Sequence, residues 1–187
     1  MTASELTLPD LLRQGLDVVF IGINPSLFSV ESGHYFARRT NRFWPCLSRS
    51  VLSAAARAAL GVSRLEPHHD RALLDHGIGF TDIVKRATAR AGELTPAEFA
   101  AGVATLIAKL ERHQPRLACF QGITGYRPFH NALSPAAAYA GLGLQPLRIG
   151  ATRLFAIPNP SPANAHATPA EQTLWYDRLA AQLRDQR

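Results

Sequence analysis

A chain of 187 residues, 47% of them apolar and 18% charged, is long enough for one domain with its own core and is neither disordered nor fibrous. Its apolar runs fall short of the roughly 20 residues that span a bilayer, and MTASELTLPD offers no basic start or apolar signal core, so a cytoplasmic protein without a membrane partner is expected. The formal charge of +6 suggests a polyanionic partner, an indication that gains weight where basic residues cluster, as Arg38, Arg39 and Arg42 do.

In chain order, DVVFIGI (residues 17–23) is a short apolar run rich in β-branched side chains, which reads as a strand covered on both faces. Asn41 is placed to cap a helix from Arg42 to about Leu60, with Pro45 tolerable near its first turn. GIGFTDIV (77–84) is a second strand candidate. TPAE at 95–98 combines a Thr cap, Pro at the first helical position and a Glu closing the capping box. Phe99, Val103, Leu106, Ile107 and Leu110 follow at helical spacing and mark a core stripe. RLACF (116–120) and TRLFAIP (152–158) read as two more buried strands. A second TPAE at 168–171 opens a last helix with Leu174, Trp175, Leu179 and Leu183 on its stripe. Strands alternating with helices imply right-handed crossovers and a three-layer α/β/α fold around a mostly parallel, four- to five-stranded sheet.

In such sheets ligands bind beyond the carboxyl ends of the strands. Asn24 follows the first strand, Asp82 lies late in the second and Asn159 follows the last, so all three are expected at one edge. GINPS (22–26) lacks both G-x-G-x-x-G and G-K-[ST], and dinucleotide and P-loop readings fail on that ground. Gly22 permits close backbone approach and Pro25 fixes the chain after Asn24. A carboxamide is no base at ordinary pH, so a fixed Asn positions a water or a ligand. IPNPSPANAHATP (157–169) is a stiff loop of Pro, Ser, Asn and small residues. Cys46 and Cys119 are too few and too far apart for a metal or Fe–S motif, and adjacent His68 and His69 lack metal-site spacing, so no cofactor is expected.

Four blocks in order then resemble one family. GINPS is similar to a G-I-N-P-G first motif. YFARRTNRFW (35–44) matches a stretch with a base-stacking Phe followed by N-R/H-F-W. GIGFTDIVKRAT (77–88) matches a middle block, and PNPSPANA (158–165) occupies a second motif that enters the duplex. Together they resemble the mismatch-specific uracil/thymine-DNA glycosylases of the uracil-DNA glycosylase superfamily, over nearly the whole chain.

That resemblance implies a single glycosylase domain over 1–187, with 1–16 as a helical lead-in. The implied activity is hydrolysis of the bond between uracil, or a related mismatched or damaged base, and deoxyribose, leaving an abasic site for base-excision repair. The expected partner is DNA, double-stranded with uracil mismatches or single-stranded, and the expected state is a monomer. The base must be flipped into a pocket. There Phe36, with Tyr35 as a substitute, would stack on it, and Asn24 would hold the attacking water. Backbone N–H groups around Ile23 and Phe36 would stabilise the leaving base, and Ser29 would help read its edge. Ser161, Pro162, Ala163 and Asn164 would enter the duplex; Arg38, Arg39, Arg42, Lys85 and Arg86 are candidates for phosphate contacts, and His34 and His166 for DNA contacts.

The chain also departs from the pattern. Ser26 stands where the family has Gly, which would narrow the pocket or add a contact. Asp82 stands where relatives carry Lys or Asn, and a carboxylate there would polarise the water or offset charge on the sugar; capping and salt-bridging are the alternative roles. Ala163 stands where relatives place a Leu or Arg wedge, implying a weaker grip on the duplex. Asn159 stands where another branch has His and would support the leaving base less. Two other readings remain open: a non-catalytic nucleic-acid-binding member of the fold, and an α/β enzyme for free nucleobases or nucleosides.

Overall fold

Residues 7–136, 138–165 and 167–184 are described by a computed structural model. The apolar run after Asp17 forms β1 (Val18–Gly22), and every residue of it is buried. The same holds for β2 (Ile78–Asp82), β3 (Leu117–Gln121) and β5 (Thr152–Ile157). A fifth strand, β4 (Gly143–Ile149), completes a sheet in the order β2-β1-β3-β5-β4, parallel except where β4 pairs antiparallel with β5. Pro146 cannot donate to a ladder and is tolerated only at an edge or irregularity. The register duly shifts between Leu144 and Arg148.

Side chains alternate across this sheet with period two and build two cores. Phe20, Phe80, Cys119 and Phe155 belong to one, which α2 (Phe43–Arg49) and α6 (Pro169–Arg184) cover with Phe43, Leu47 and Tyr176. Ile21, Ala118, Phe120 and Leu154 belong to the other, covered by α4 (Pro96–His113) and α5 (Ile123–Leu133) through Leu106, Leu110, Tyr126 and Phe129. The three-layer arrangement is therefore that expected.

Two local expectations fail. The helix expected over 42–60 is broken into α2, a 3-10 turn at Val51–Ser53 and α3 (Ala54–Leu60). Ser50 is extended there, and serine hydroxyls compete for the backbone: Ser50 Oγ and Ser53 Oγ both donate to Leu47 O, at 2.9 and 2.6 Å. The helical lead-in is likewise absent from 7–16. Pro9 biases the residue before it toward extended backbone, and Leu11 pairs with Phe80 as an isolated antiparallel bridge, N–H to O in both directions at 2.9 Å. Residues 1–6 of that expectation lie outside the described residues.

Candidate active site

The carboxyl ends of β1, β2, β3 and β5 open into one cavity of about 540 Å³, and Asn24, Phe36, Asp82 and Asn159 all line it. Pairing between the first two strands continues past the sheet, with Ile83 N donating to Gly22 O, Val84 N to Ile23 O and Thr88 N to Pro25 O. This second rail fixes Asn24. Its Nδ2 donates to Arg86 O at 2.9 Å and to Thr88 Oγ1 at 2.7 Å. A carbonyl oxygen can only accept, so the amide orientation follows, and Oδ1 is the atom left to receive a ligand's proton. Arg86 itself is pinned by Glu98 at the start of α4; it holds the site's frame, in place of the phosphate contact expected of it.

Phe36 lines the same cavity in a left-handed conformation, φ 51°, which is uncommon for a bulky side chain and clusters at functional sites. Its ring stacks on Phe43 with centroids 4.4 Å apart and planes at 23°. One face is thereby occupied, while the residue borders the cavity. Tyr35 borders the cavity but is no substitute for it. Its ring stacks on Phe80 at 5.4 Å, its hydroxyl donates to Pro9 O and its N–H to Asp70 Oδ2. Asp70 also binds His34 Nδ1 at 3.1 Å, so His34 serves the loop's shape. Ser26 caps α1 (Leu27–Ser32), accepting from Ser29 N and donating to Ser29 Oγ. Ile23, Ser26 and Ser29 all reach the cavity.

Asp82 is the last residue of β2 and is paired in register with Gly22. Its carboxylate has no hydrogen-bond partner among the described residues, and Oδ2 is fully buried. Burial pushes its carboxyl up to about 7; Lys85 and Lys109 pull the other way, and Asp10 adds to the rise. An unpaired buried carboxylate costs stability, which sets this residue apart from a capping or ion-paired Asp. Lys85 is bound to Asp10 at 2.8 Å, not free for phosphate.

Thr88 and Gln121 are lining residues that escape a reading of the sequence. Thr88 closes the quoted middle block, but only the fold shows its hydroxyl holding Asn24. Gln121 ends β3, is 3% exposed and leaves Oε1 without a partner; a polar residue directly after RLACF was the available signal.

The second loop follows β5 and holds itself together. Asn159 Oδ1 accepts from Ser161 N at 2.8 Å, Ser161 O accepts from Asn164 N, and Asn164 Nδ2 donates to Asn159 O. Asn159, Ser161, Pro162 and Ala163 line the cavity, with Pro162 and Ala163 exposed; Asn164 lies in the loop's frame. Arg42 joins the two loops: its backbone N–H donates to Pro160 O, and its guanidinium to Asn164 O and Ala167 O. It therefore acts as a tie between loops, and its expected phosphate contact gives way to that. Arg38 and Arg39 are exposed, and Arg38 reaches the cavity. His166 lies outside the described residues.

The same architecture occurs in the solution NMR structure of "a putative Uracil DNA glycosylase" from Methanosarcina acetivorans, which is 18% identical, covers 94% of this chain and 98% of that one, and superposes with a TM-score of 0.56. At that identity the likeness speaks for the fold. A family model, described as the uracil DNA glycosylase superfamily, matches residues 9–181. With nearly the whole chain inside that match, the protein belongs to the uracil DNA glycosylase superfamily.

Proposed function

We propose that this chain is a monofunctional DNA glycosylase of the mismatch-specific uracil/thymine branch, acting as one domain on uracil flipped out of DNA. The observation that carries this reading is the locking of Asn24: with both amide hydrogens donated within the protein, its oxygen is left in a cavity shared with Phe36 and Asp82.

The extruded base stacks on Phe36, an interaction worth about 1–3 kcal/mol. Asn24 Oδ1 accepts a hydrogen bond from the water and aims its oxygen at the sugar; that proton stays in the product hydroxyl. Asp82, close to half ionised near neutral pH, takes the water's other proton as the C–O bond forms and the C–N bond breaks through an oxocarbenium-like state. The base leaves as a delocalised anion; the Phe36 N–H, which has no partner among the described residues, and Asn159 Nδ2 are donors for it. Gln121 offers a donor and an acceptor to the base edge. Exposed Arg38 and Arg39 meet phosphates. With Ala163 in place of a bulky wedge, grip on the duplex is weak and dependence on the opposite base is slight.

The test is single-turnover cleavage of single- and double-stranded oligonucleotides, each with one lesion. Asn24→Ala is expected to lose about 10²–10³-fold in rate and keep salt-sensitive DNA binding. Parent-like cleavage by that variant removes Asn24 from the mechanism. Binding without cleavage by the parent favours a non-catalytic member of the fold, activity on mononucleosides favours a nucleoside enzyme, and strong preference for guanine opposite uracil contradicts the reading of Ala163.

A further inference from the structure

Asp82 lies three residues before Lys85, yet the two make no ion pair. The ammonium is held elsewhere. Lys85 Nζ is 2.8 Å from Asp10 Oδ1 and donates to Tyr35 Oη at 3.2 Å. Asp10 Oδ2 takes Lys109 Nζ from α4 at 2.7 Å, and Asp10 Oδ1 also accepts from Thr81 Oγ1 at 2.7 Å. The bridge between Leu11 and Phe80 fixes Asp10 against the outer edge of β2. Burial alone would raise the Asp10 carboxyl, but hydrogen bonds from Lys109 and Lys85 hold it below the ordinary carboxylate value.

We propose that Asp10 is a positioning residue: by holding the Lys85 ammonium on the N-terminal segment, it keeps the Asp82 carboxylate unpaired and open to the cavity. The proposal rests on the reading of Asp82 as the water's proton acceptor. A neighbouring ammonium at contact distance would lower the basicity of that carboxylate and occupy the lone pair that the water proton needs. The ionisable groups around Asp82 are Lys85, Asp10, Lys109 and Tyr35, with Arg38 and Arg90 on the cavity wall.

The direct measurement is an NMR titration of the Asp82 carboxyl in the full chain, which needs no cleavage. Asp10→Asn is expected to release Lys85 toward Asp82 and lower its midpoint by about 1–3 units. Adding Lys85→Met to that variant is expected to return the midpoint to or above the parent value. An unmoved midpoint in Asp10→Asn, or an equal drop in the double variant, overturns the proposal. Lys85→Met alone covers the case in which Asp10→Asn does not fold. With Lys85 already held by Asp10, the Asp82 midpoint should rise by less than about one unit, whereas a larger rise places the ammonium on Asp82 from the start and overturns the proposal. Cleavage against pH is then recorded for the same variants. If the titration moves and the cleavage limb does not follow it, the role of Asp82 in the reaction falls and the Asp10 clamp stands.

Discussion

The two loops that close the cavity are built differently. The first, from Ile23 to Arg42, is tied to distant parts of the chain, Asn24 to the segment after β2 and Tyr35 to Asp70 and Pro9, and Phe36 rests on the ring of nearby Phe43. The second, residues 158–165, is held mainly by turns among its own Asn and Ser side chains and ends in exposed Pro162 and Ala163. Chemistry at a single bond needs groups fixed to within about half an ångström, and long-range ties supply that. On the proposed function, the second loop leans on DNA and needs a shape, which its own turns, with the tie from Arg42, provide. The division suggests that reactivity and grip can be altered separately.

Gly22→Ala should have the largest effect. A Cβ there would collide with Asp82 Oδ1, displacing the carboxylate and abolishing single-turnover cleavage; overpacking a buried strand also costs about 1–3 kcal/mol of stability by denaturant melts. Asp82→Asn should remove the rise in cleavage through pH 7 and, in the same protein, increase stability. The folded carboxyl sits at about 7 against 3.8 for the free group. Between those values the folded state binds more protons than the unfolded one, so parent stability falls as pH rises from 4 to 7 and stays lower above. The variant should therefore match the parent near pH 4 and exceed it at pH 8 by on the order of 1–4 kcal/mol.

Arg42→Ala should cost about 1–3 kcal/mol, since it leaves the Asn164 and Ala167 carbonyls short of a donor, and should slow cleavage of duplex more than of single strand. Equal slowing of both would show that the loops are not separable. Ala163→Leu should change least: tighter duplex binding and a stronger opposite-base dependence, with the single-strand rate unaltered.

Much of this was legible in the sequence because it rests on local chemistry. The buried strands declare themselves by continuous apolar runs, and both TPAE boxes cap helices as written, with Thr95 accepting from Glu98 N and Thr168 from Glu171 N. Asn24, Asp82 and Asn159 could be brought together from strand order alone. What stayed hidden depends on partners far along the chain. The sequence shows four arginines and a lysine near the motifs. It does not show that Arg42 spends its guanidinium on the second loop, Arg86 on Glu98 or Lys85 on Asp10. Nor does it show β4, where Pro146 and alternating exposure mask an edge strand, or the serine hydroxyls that break α2 from α3.

The seat of Asn24 also restricts what evolution can do at that position. An aspartate of identical shape would turn an oxygen toward the Arg86 carbonyl, oxygen facing oxygen, where the amide now donates. On the proposed mechanism, the isosteric exchange that would install an acid beneath the sugar is opposed by that backbone carbonyl. The proton acceptor of that mechanism is then housed on a neighbouring strand, as Asp82 at the end of β2 is.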